Sequence, residues 1–328
     1  MEYNFLFCSV GRRNELLRDA KKTLGNLGKI IATDCSVTAP ALYEADKKYI
    51  VSRINEPGYI DELLQICKQE NIKAITTLID PEILVLAKNR DKFEAIGVLV
   101  LAPEIETAEI CFDKYKMYQY LRDNNIPTVK TYENFDVFYQ DYINRKIDFP
   151  VFVKPRNGSG SVGARKIELL DELEQICNNK ELIIQEYMDG TDIDADVYVD
   201  TISKQAVSAF LKQKLETKIG GANKTISFKD EKLFDFIKKI MACFQFSGPI
   251  DMDFFKQGGK YYLSEINPRF GGAYLHAYGC GIDFFSSIVN NLEKRINEAS
   301  IGDYEENVTM MMFDSVCFEK INNYCDVL

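Results

Sequence analysis

Along the first hundred residues short β-rich runs alternate with helical patterns. Phe5 to Val10 is a short apolar run, a helical pattern starts near Asn14, and Lys29 to Thr33 is again β-rich. The helical period is clearest between Gly58 and Asn71, where Ile60, Leu63, Leu64 and Cys67 recur at i, i+3, i+4 and i+7. A strand over Lys73 to Leu78 follows, and then a loop at Asp80-Pro81-Glu82. This βαβ rhythm predicts a parallel sheet, in which ligands gather at the carboxyl ends of the strands. Gly11-Arg12-Arg13, Asp34 and Asp80-Pro81-Glu82 therefore fall on one edge as candidate substrate contacts. Turn chemistry and helix capping are the competing explanation for each of them.

Farther on the pattern changes. A helix bearing Lys114, Tyr118 and Leu121 precedes Ile126-Pro127, and from Phe149 to Glu186 the order is strand, glycine-rich loop, strand, helix, strand. Two β-rich runs flank Ser203-Lys204, and a helix then carries Leu233, Ile237, Ile240 and Phe244 on one face. Two more strands flank Gly258-Gly259, and a mainly helical tail closes the chain. Neither an internal repeat nor a low-complexity linker is present. At 328 residues the chain fits two or three packed lobes, which makes a cleft between lobes the first place to look for a site.

Charge and cysteine usage narrow the field. A net charge of -10 would repel a polyanion, so nucleic acid is not an expected partner. No apolar stretch reaches the roughly 20 residues of a membrane helix. The start of the chain lacks the marks of a signal peptide, which favours the cytoplasm, and the nine cysteines lie scattered singly, which suggests neither a disulfide framework nor a zinc site.

Three blocks carry candidate chemistry. Pro150 to Pro155 reads as a strand delivering Lys154, followed by the loop Arg156-Asn157-Gly158-Ser159-Gly160-Ser161-Val162-Gly163, whose backbone donors can wrap phosphate oxygens. It has neither a P-loop ending nor a dinucleotide fingerprint, and by itself such a loop is more often a surface turn. Leu182 to Gly190 is an apolar strand breaking into a connector through Gln185, Glu186, Tyr187 and Met188, which suits an adenine ring. In the hairpin across Gly258-Gly259, Glu265 and Asn267 project from one face. Asp253 joins them if the turn is odd in length, as a three-residue loop would be. Two carboxylates and an amide oxygen suit Mg²⁺; the plain alternative is that the acids face water. Arg269, just beyond, is placed to grip a phosphate or carboxylate. His276 is either a base toward an amine or a structural histidine.

In this order the blocks resemble the ATP-grasp superfamily, most closely the short proteins similar to one half of the carbamoyl-phosphate synthase large subunit. The likeness extends over nearly the whole chain and is most specific at Glu265-Ile266-Asn267-Pro268-Arg269-Phe270-Gly271-Gly272. Asp113-Lys114-Tyr115-Lys116, Lys154-Pro155 with its loop, and Gln185 to Gly190 support it. The resemblance implies an α/β (α+β) fold. A Rossmann-like pre-ATP-grasp parallel sheet would occupy 1–110, an ATP-grasp N-terminal lobe 111–186, and a C-terminal lobe with the Mg²⁺ site and helical tail 187–328. Nucleotide would lie between antiparallel sheets.

By the same resemblance, Lys114 and Lys154 neutralise phosphates under the loop Asn157 to Gly163, while Glu186 to Met188 hold adenine and Asp192 lies near the ribose. Asp253, Glu265 and Asn267 ligate Mg²⁺, with Mn²⁺ as an alternative, and Lys154, Asn267 and Arg269 act on the transferred phosphoryl group. Arg12, Asp34, Glu82, Arg269, Gly271 and Gly272 are the candidate acceptor contacts. The implied activity is an ATP-dependent ligase joining a small carboxylate to an amine or thiol through an acyl phosphate, with a homodimer left open. A kinase or carbamoyl-phosphate-type phosphotransferase, and a nucleotide-binding regulatory module without turnover, are the alternatives.

Overall fold

The computed structural model describes residues 2–158, 163–176, 181–218 and 221–321. Its N-terminal part is a five-stranded parallel sheet of β1 (Asn4–Cys8), β2 (Ile30–Asp34), β3 (Lys47–Ile50), β4 (Ile72–Thr77) and β5 (Leu99–Val100), in the order β3-β2-β1-β4-β5. Helices α1 (Asn14–Leu24), α2 (Tyr59–Gln69), α3 (Asp80–Lys88) and α4 (Arg90–Glu94) connect these strands. The expected loop at Asp80-Pro81-Glu82 is instead the first turn of α3. Proline is well placed there, because the first turn has no intrahelical acceptor for its missing N–H.

A small antiparallel sheet follows α5 (Ile105–Phe112) and α6 (Lys114–Asp123). It comprises β6 (Thr131–Tyr132), β7 (Val151–Pro155), β8 (Arg165–Ile167) and β9 (Leu182–Glu186), in the order β6-β9-β7-β8. With α7 (Phe135–Ile143) and α8 (Leu170–Ile176) it closes its own core around Phe138, Val151, Val153 and Ile184.

The largest sheet is built from β10 (Thr191–Val199), β11 (Ala206–Lys218), β12 (Gly221–Phe228), β13 (Gly248–Gln257), β14 (Lys260–Asn267), β15 (Ser300–Ile301) and β16 (Thr309–Met311). Its path runs β14-β13-β10-β11-β12-β16, with β15 beside β11. Strand β12 has no counterpart in the sequence reading, because Gly221-Ala222-Asn223-Lys224 opens it without an apolar run. Phe244 lies three residues past the end of α9 (Glu231–Met241), although it is buried as its spacing suggested. Among the described residues the tail is helical through α10 (Tyr274–Gly279) and α11 (Phe284–Leu292), and then turns extended to form β15 and β16.

One apolar core unites the parallel sheet with the large sheet. Phe7 of β1 lies 6.3 Å from the rings of both Phe270 and Phe285, and Phe270 stacks on Phe285 at 5.1 Å. This shared core fixes the carboxyl edge of the parallel sheet against the polar face described next, since close-packed interiors transmit little slack. Among the described residues no helix is long and apolar enough to cross a membrane.

Candidate functional site

Parity in the β13–β14 hairpin decides which side chains can meet. Its loop is two residues, Gly258 and Gly259, both at positive φ (57° and 75°), with Gln257 opposite Lys260. Glycine is favoured at both places because this turn needs the left-handed region twice. The odd-length turn expected from the sequence is therefore absent. Left alone, the two-residue register would set Asp253 opposite Ser264. A bulge at Ser264 shifts it by one, so that Asp253 faces Glu265 and Asp251 faces Asn267. The three expected oxygen donors thus share one face, for a different reason from the one anticipated.

The face continues inward. Asp194 and Asp196 of β10 lie opposite Asp253 and Asp251, and Lys212 of β11 lies opposite Asp194. Lys212 is fully buried, 3.0 Å from Asp194 and paired also with Asp196. Burial pushes Asp196 up to about 6 and raises Asp251 well above the usual carboxylate range, with repulsion from Asp194 and Asp253 adding to the latter. Carboxylate oxygens of Asp194, Asp196 and Asp251 lie within 4.8 Å of one another. Lys214 pairs with Asp253 and, at 3.1 Å, with Asp192. Burial opposes its charge, but these two acids hold its pKa above the ordinary lysine value.

Two more lysines reach the same face from separate segments. Asp113 caps α6, accepting from the backbone N–H groups of Tyr115 and Lys116 at 3.0 and 3.1 Å, and is gripped by Arg156 at 2.9 Å. That cap fixes Lys114, whose Nζ donates to the Gly158 carbonyl at 2.5 Å and lies 3.5 Å from Glu265. Lys154, near the end of β7, lies 3.9 Å from Glu265 and is lowered by burial, with Glu265 opposing the shift. Both lysines are more than nine-tenths buried. Residues 114, 154, 253, 265 and 267 are therefore brought together.

Around the loop, Asn157 is exposed, and Gly158 and Gly163 stand at positive φ (100° and 75°); Ser159, Gly160 and Ser161 lie outside the described residues. Glu186 and Tyr187 are half-buried and Met188 is buried, in the connector between the small and large sheets. Gly190 is required there, since a Cβ would come within 2.3 Å of the Lys256 carbonyl oxygen. Gln185 departs from expectation. Its amide is buried and donates to Thr131 at 2.8 Å, tying β9 to β6 instead of facing a ligand.

The expected acceptor contacts are largely redistributed. Arg12 is three-quarters exposed and, among the described residues, pairs with Asp314 at 3.9 Å, because the turn before α1 points it outward. Asp34 is occupied in accepting from the backbone N–H groups of Gly11 and Ser36, both at 2.9 Å, which is the turn chemistry weighed against a binding role. Glu82 is completely buried under hydrogen bonds from Ser9, Thr77 and Tyr59. Their neighbours take the positions at the face. Asp80 holds Arg269 bidentately, at 2.7 and 3.1 Å, and Arg269 lies 3.4 Å from Asp251. Arg13 donates to the Phe270 carbonyl at 2.6 Å. Gly271 passes directly over the acids, where a Cβ would lie 2.6 Å from Asp251 and 2.8 Å from Asp196, and a Cβ on Gly272 would lie 3.2 Å from Arg13 Nη1.

Asp194, Asp196, Asp251, Lys212 and Lys214 join the face without having been expected from the sequence. A signal existed in the period-two spacing of charges at 192, 194 and 196 and at 212 and 214 within otherwise apolar strands. His276 is buried in α10, with Nδ1 2.7 Å from the Thr225 hydroxyl and its ring 5.0 Å from Phe210. Burial, reinforced by Lys212, pushes its pKa down to about 4. The folded protein therefore favours neutral imidazole, and this stabilisation is present above the unfolded value of about 6.5 and lost as pH falls toward 4. By about pH 5 the loss should be on the order of 2 kcal/mol. Urea unfolding of wild type and His276→Gln near pH 5 and pH 7.5 checks this, the variant losing that part of the pH dependence.

Residues 5–101 match the family model described as PylC-like, N-terminal domain, and residues 111–273 match the one described as ATP-grasp domain. The chain is 24% identical to a carbamoyl-phosphate synthase of Methanobrevibacter smithii, over 83% of this chain and 77% of that one. It is 23% identical to the carbamoyl phosphate synthase large chain of Thermoanaerobacter sp. over 81% of its length, but spans only 25% of that protein. Among solved structures it resembles N5-carboxyaminoimidazole synthetase from Staphylococcus aureus complexed with ADP, with a TM-score of 0.74 and 16% identity, covering 91% of this chain and 80% of that one.

Proposed function

We propose that this chain, an ATP-grasp protein with a PylC-like N-terminal domain, is an ATP-dependent ligase that activates a small carboxylate as an acyl phosphate and delivers it to an amine. One observation carries the reading: Lys114 and Lys154, from different segments, converge on Glu265, which shares a face with Asp253 and Asn267. As a donor set the three oxygen side chains fit Mg²⁺, a hard cation that keeps water and phosphate among its ligands. Bound there, Mg²⁺ would offset charge on the phosphate oxygens.

The chain's own residues would do the rest. Lys114 and Lys154 would exchange Glu265 for phosphate oxygens, and Lys214 would exchange Asp253 in the same way, so that positive charge is already desolvated where negative charge develops. Arg269, fixed by Asp80, would steady the transferred group, and the Phe270-Gly271-Gly272 backbone would leave room for the acceptor beside it. No side-chain nucleophile is needed. The reading is tested by measuring ADP release from MgATP with pooled carboxylates and amino acids, and weighing the product by mass spectrometry. Asn267→Ala should lower the rate about a hundredfold or more. Equal rates in the two proteins, or a phosphorylated product that leaves in the presence of every amine, would remove it.

A further inference from the structure

One edge of the large sheet is left both unpaired and uncharged. Strand β16 pairs with β12 on one side, and among the described residues no strand pairs with it on the other. Ser227 donates to the Val308 carbonyl at 2.9 Å, and Met312 donates to the Asn223 carbonyl at 3.0 Å. In an antiparallel ladder such bonds recur at every second residue, so Thr309, Met311 and Phe313 turn their N–H and C=O groups outward. An open edge of this kind is a template for another strand, and proteins blunt it with charge or proline. The outer strands β3 and β8 carry Lys47-Lys48 and Arg165-Lys166, whereas Thr309-Met310-Met311-Met312-Phe313 carries neither charge nor proline.

Apolar side chains along and beyond this strand are uncovered as well. Met311 is 64% exposed, Val316 78%, and Phe313 and Phe318 88% each. With about 150–250 Å² on each aromatic side chain, these four offer on the order of 500 Å², as large as the patches that mark interaction sites on monomers. A second copy brings the same area again, and about 1,000 Å² in total is what a specific interface needs. Charge does not oppose the pairing, although the chain as a whole carries -10. From residue 309 to residue 318 the one charged side chain is Asp314, and it pairs with Lys218 at 3.1 Å and Arg12 at 3.9 Å.

We propose that two copies of this chain associate through β16 and the segment that follows it, continuing one sheet across a two-fold axis at Met311. Antiparallel pairing about that axis sets Thr309 of each copy against Phe313 of the other, so that every outward N–H meets an outward carbonyl. Phe313, Val316 and Phe318 then lose water against the second copy. The association does not depend on the ligase reading.

Sedimentation velocity of the full chain across a concentration series reads the assembly, with a reductant present to keep the exposed Cys317 from cross-linking. Wild type should form a dimer that dissociates on dilution, and the amides of residues 309–313 should be protected from hydrogen exchange in the dimer and lose that protection on dilution. Met311→Pro, which removes an outward N–H without touching the ladder to β12, should raise the dimer dissociation constant at least about tenfold. Phe318→Ser lies outside β16 and removes apolar area alone; it should act in the same direction, and it stands in if the proline variant does not fold. Wild type that stays monomeric at every concentration, leaving the edge to a foreign chain, would overturn the proposal. So would a dimer unmoved by both variants, a dimer whose 309–313 amides exchange freely, or association that grows past two copies.

Discussion

Glu265→Gln is expected to lower MgATP-dependent ADP release at least about a hundredfold and, before any nucleotide is added, to lower the melting temperature. Glu265 is the common partner of Lys114 and Lys154, two lysines that are more than nine-tenths buried. Removing its charge leaves both cations desolvated and uncompensated. Losing one partner of a buried pair costs about 3–5 kcal/mol, but here the separations are 3.5 and 3.9 Å and Glu265 is partly exposed, so about 1–2 kcal/mol is the reasonable expectation. In a chain of this size that corresponds to a shift of about 1.5–3 °C. ATP without divalent metal should restore much of it, because phosphate oxygens replace the missing carboxylate and binding to the folded state alone stabilises it. Thermal melts with and without ATP, beside the ADP assay, read both effects. A variant that melts like wild type and turns over normally would show that Glu265 neither anchors the lysines nor serves the reaction.

Asp80→Asn should produce the second largest effect, although Asp80 belongs to the N-terminal domain. Its carboxylate holds Arg269 by two hydrogen bonds, and both side chains are nearly nine-tenths buried. The arginine would keep its charge but lose its bidentate partner, at a cost of about 3 kcal/mol. A misplaced Arg269 should cut the maximal rate about tenfold or more while the apparent affinity for MgATP stays within about twofold, since the lysines are untouched. Asp80→Glu, which retains the charge on a longer arm, should recover part of the rate. An unchanged maximal rate in Asp80→Asn, or a loss confined to nucleotide affinity, would show that Asp80 acts elsewhere.

Near neighbours in the N-terminal segment part company twice. Within Gly11-Arg12-Arg13, Arg12 points outward while Arg13 reaches the Phe270 carbonyl, and within Asp80-Pro81-Glu82, Glu82 is buried while Asp80 holds Arg269. Adjacent residues differ little in sequence pattern, yet a turn or a helix points their side chains about 100° or more apart. Once Asp80-Pro81-Glu82 is the first turn of α3 instead of a loop, Glu82 rotates under Ser9, Thr77 and Tyr59 while Asp80 faces Arg269. No periodicity argument reaches that distinction.

What the amino-acid order settled alone was local. The period of three and four residues in α2, the alternation that sets Glu265 and Asn267 on one side of β14, the strand carrying Lys154 and the turn at Gly258-Gly259 all follow from interactions between residues close in sequence. Tertiary structure decided the rest. The three buried aspartates around Lys212, the pairing of Lys214 with Asp253, the reach of Arg13 to the Phe270 carbonyl and the hold of Asp80 on Arg269 join separate segments of the chain, and the bulge at Ser264 that brings Asp253 to the face overrides the register its own turn would set. Such contacts depend on strand order and on a shared apolar core, and the free energy that selects them is distributed over the whole packed interior instead of residing in any one segment.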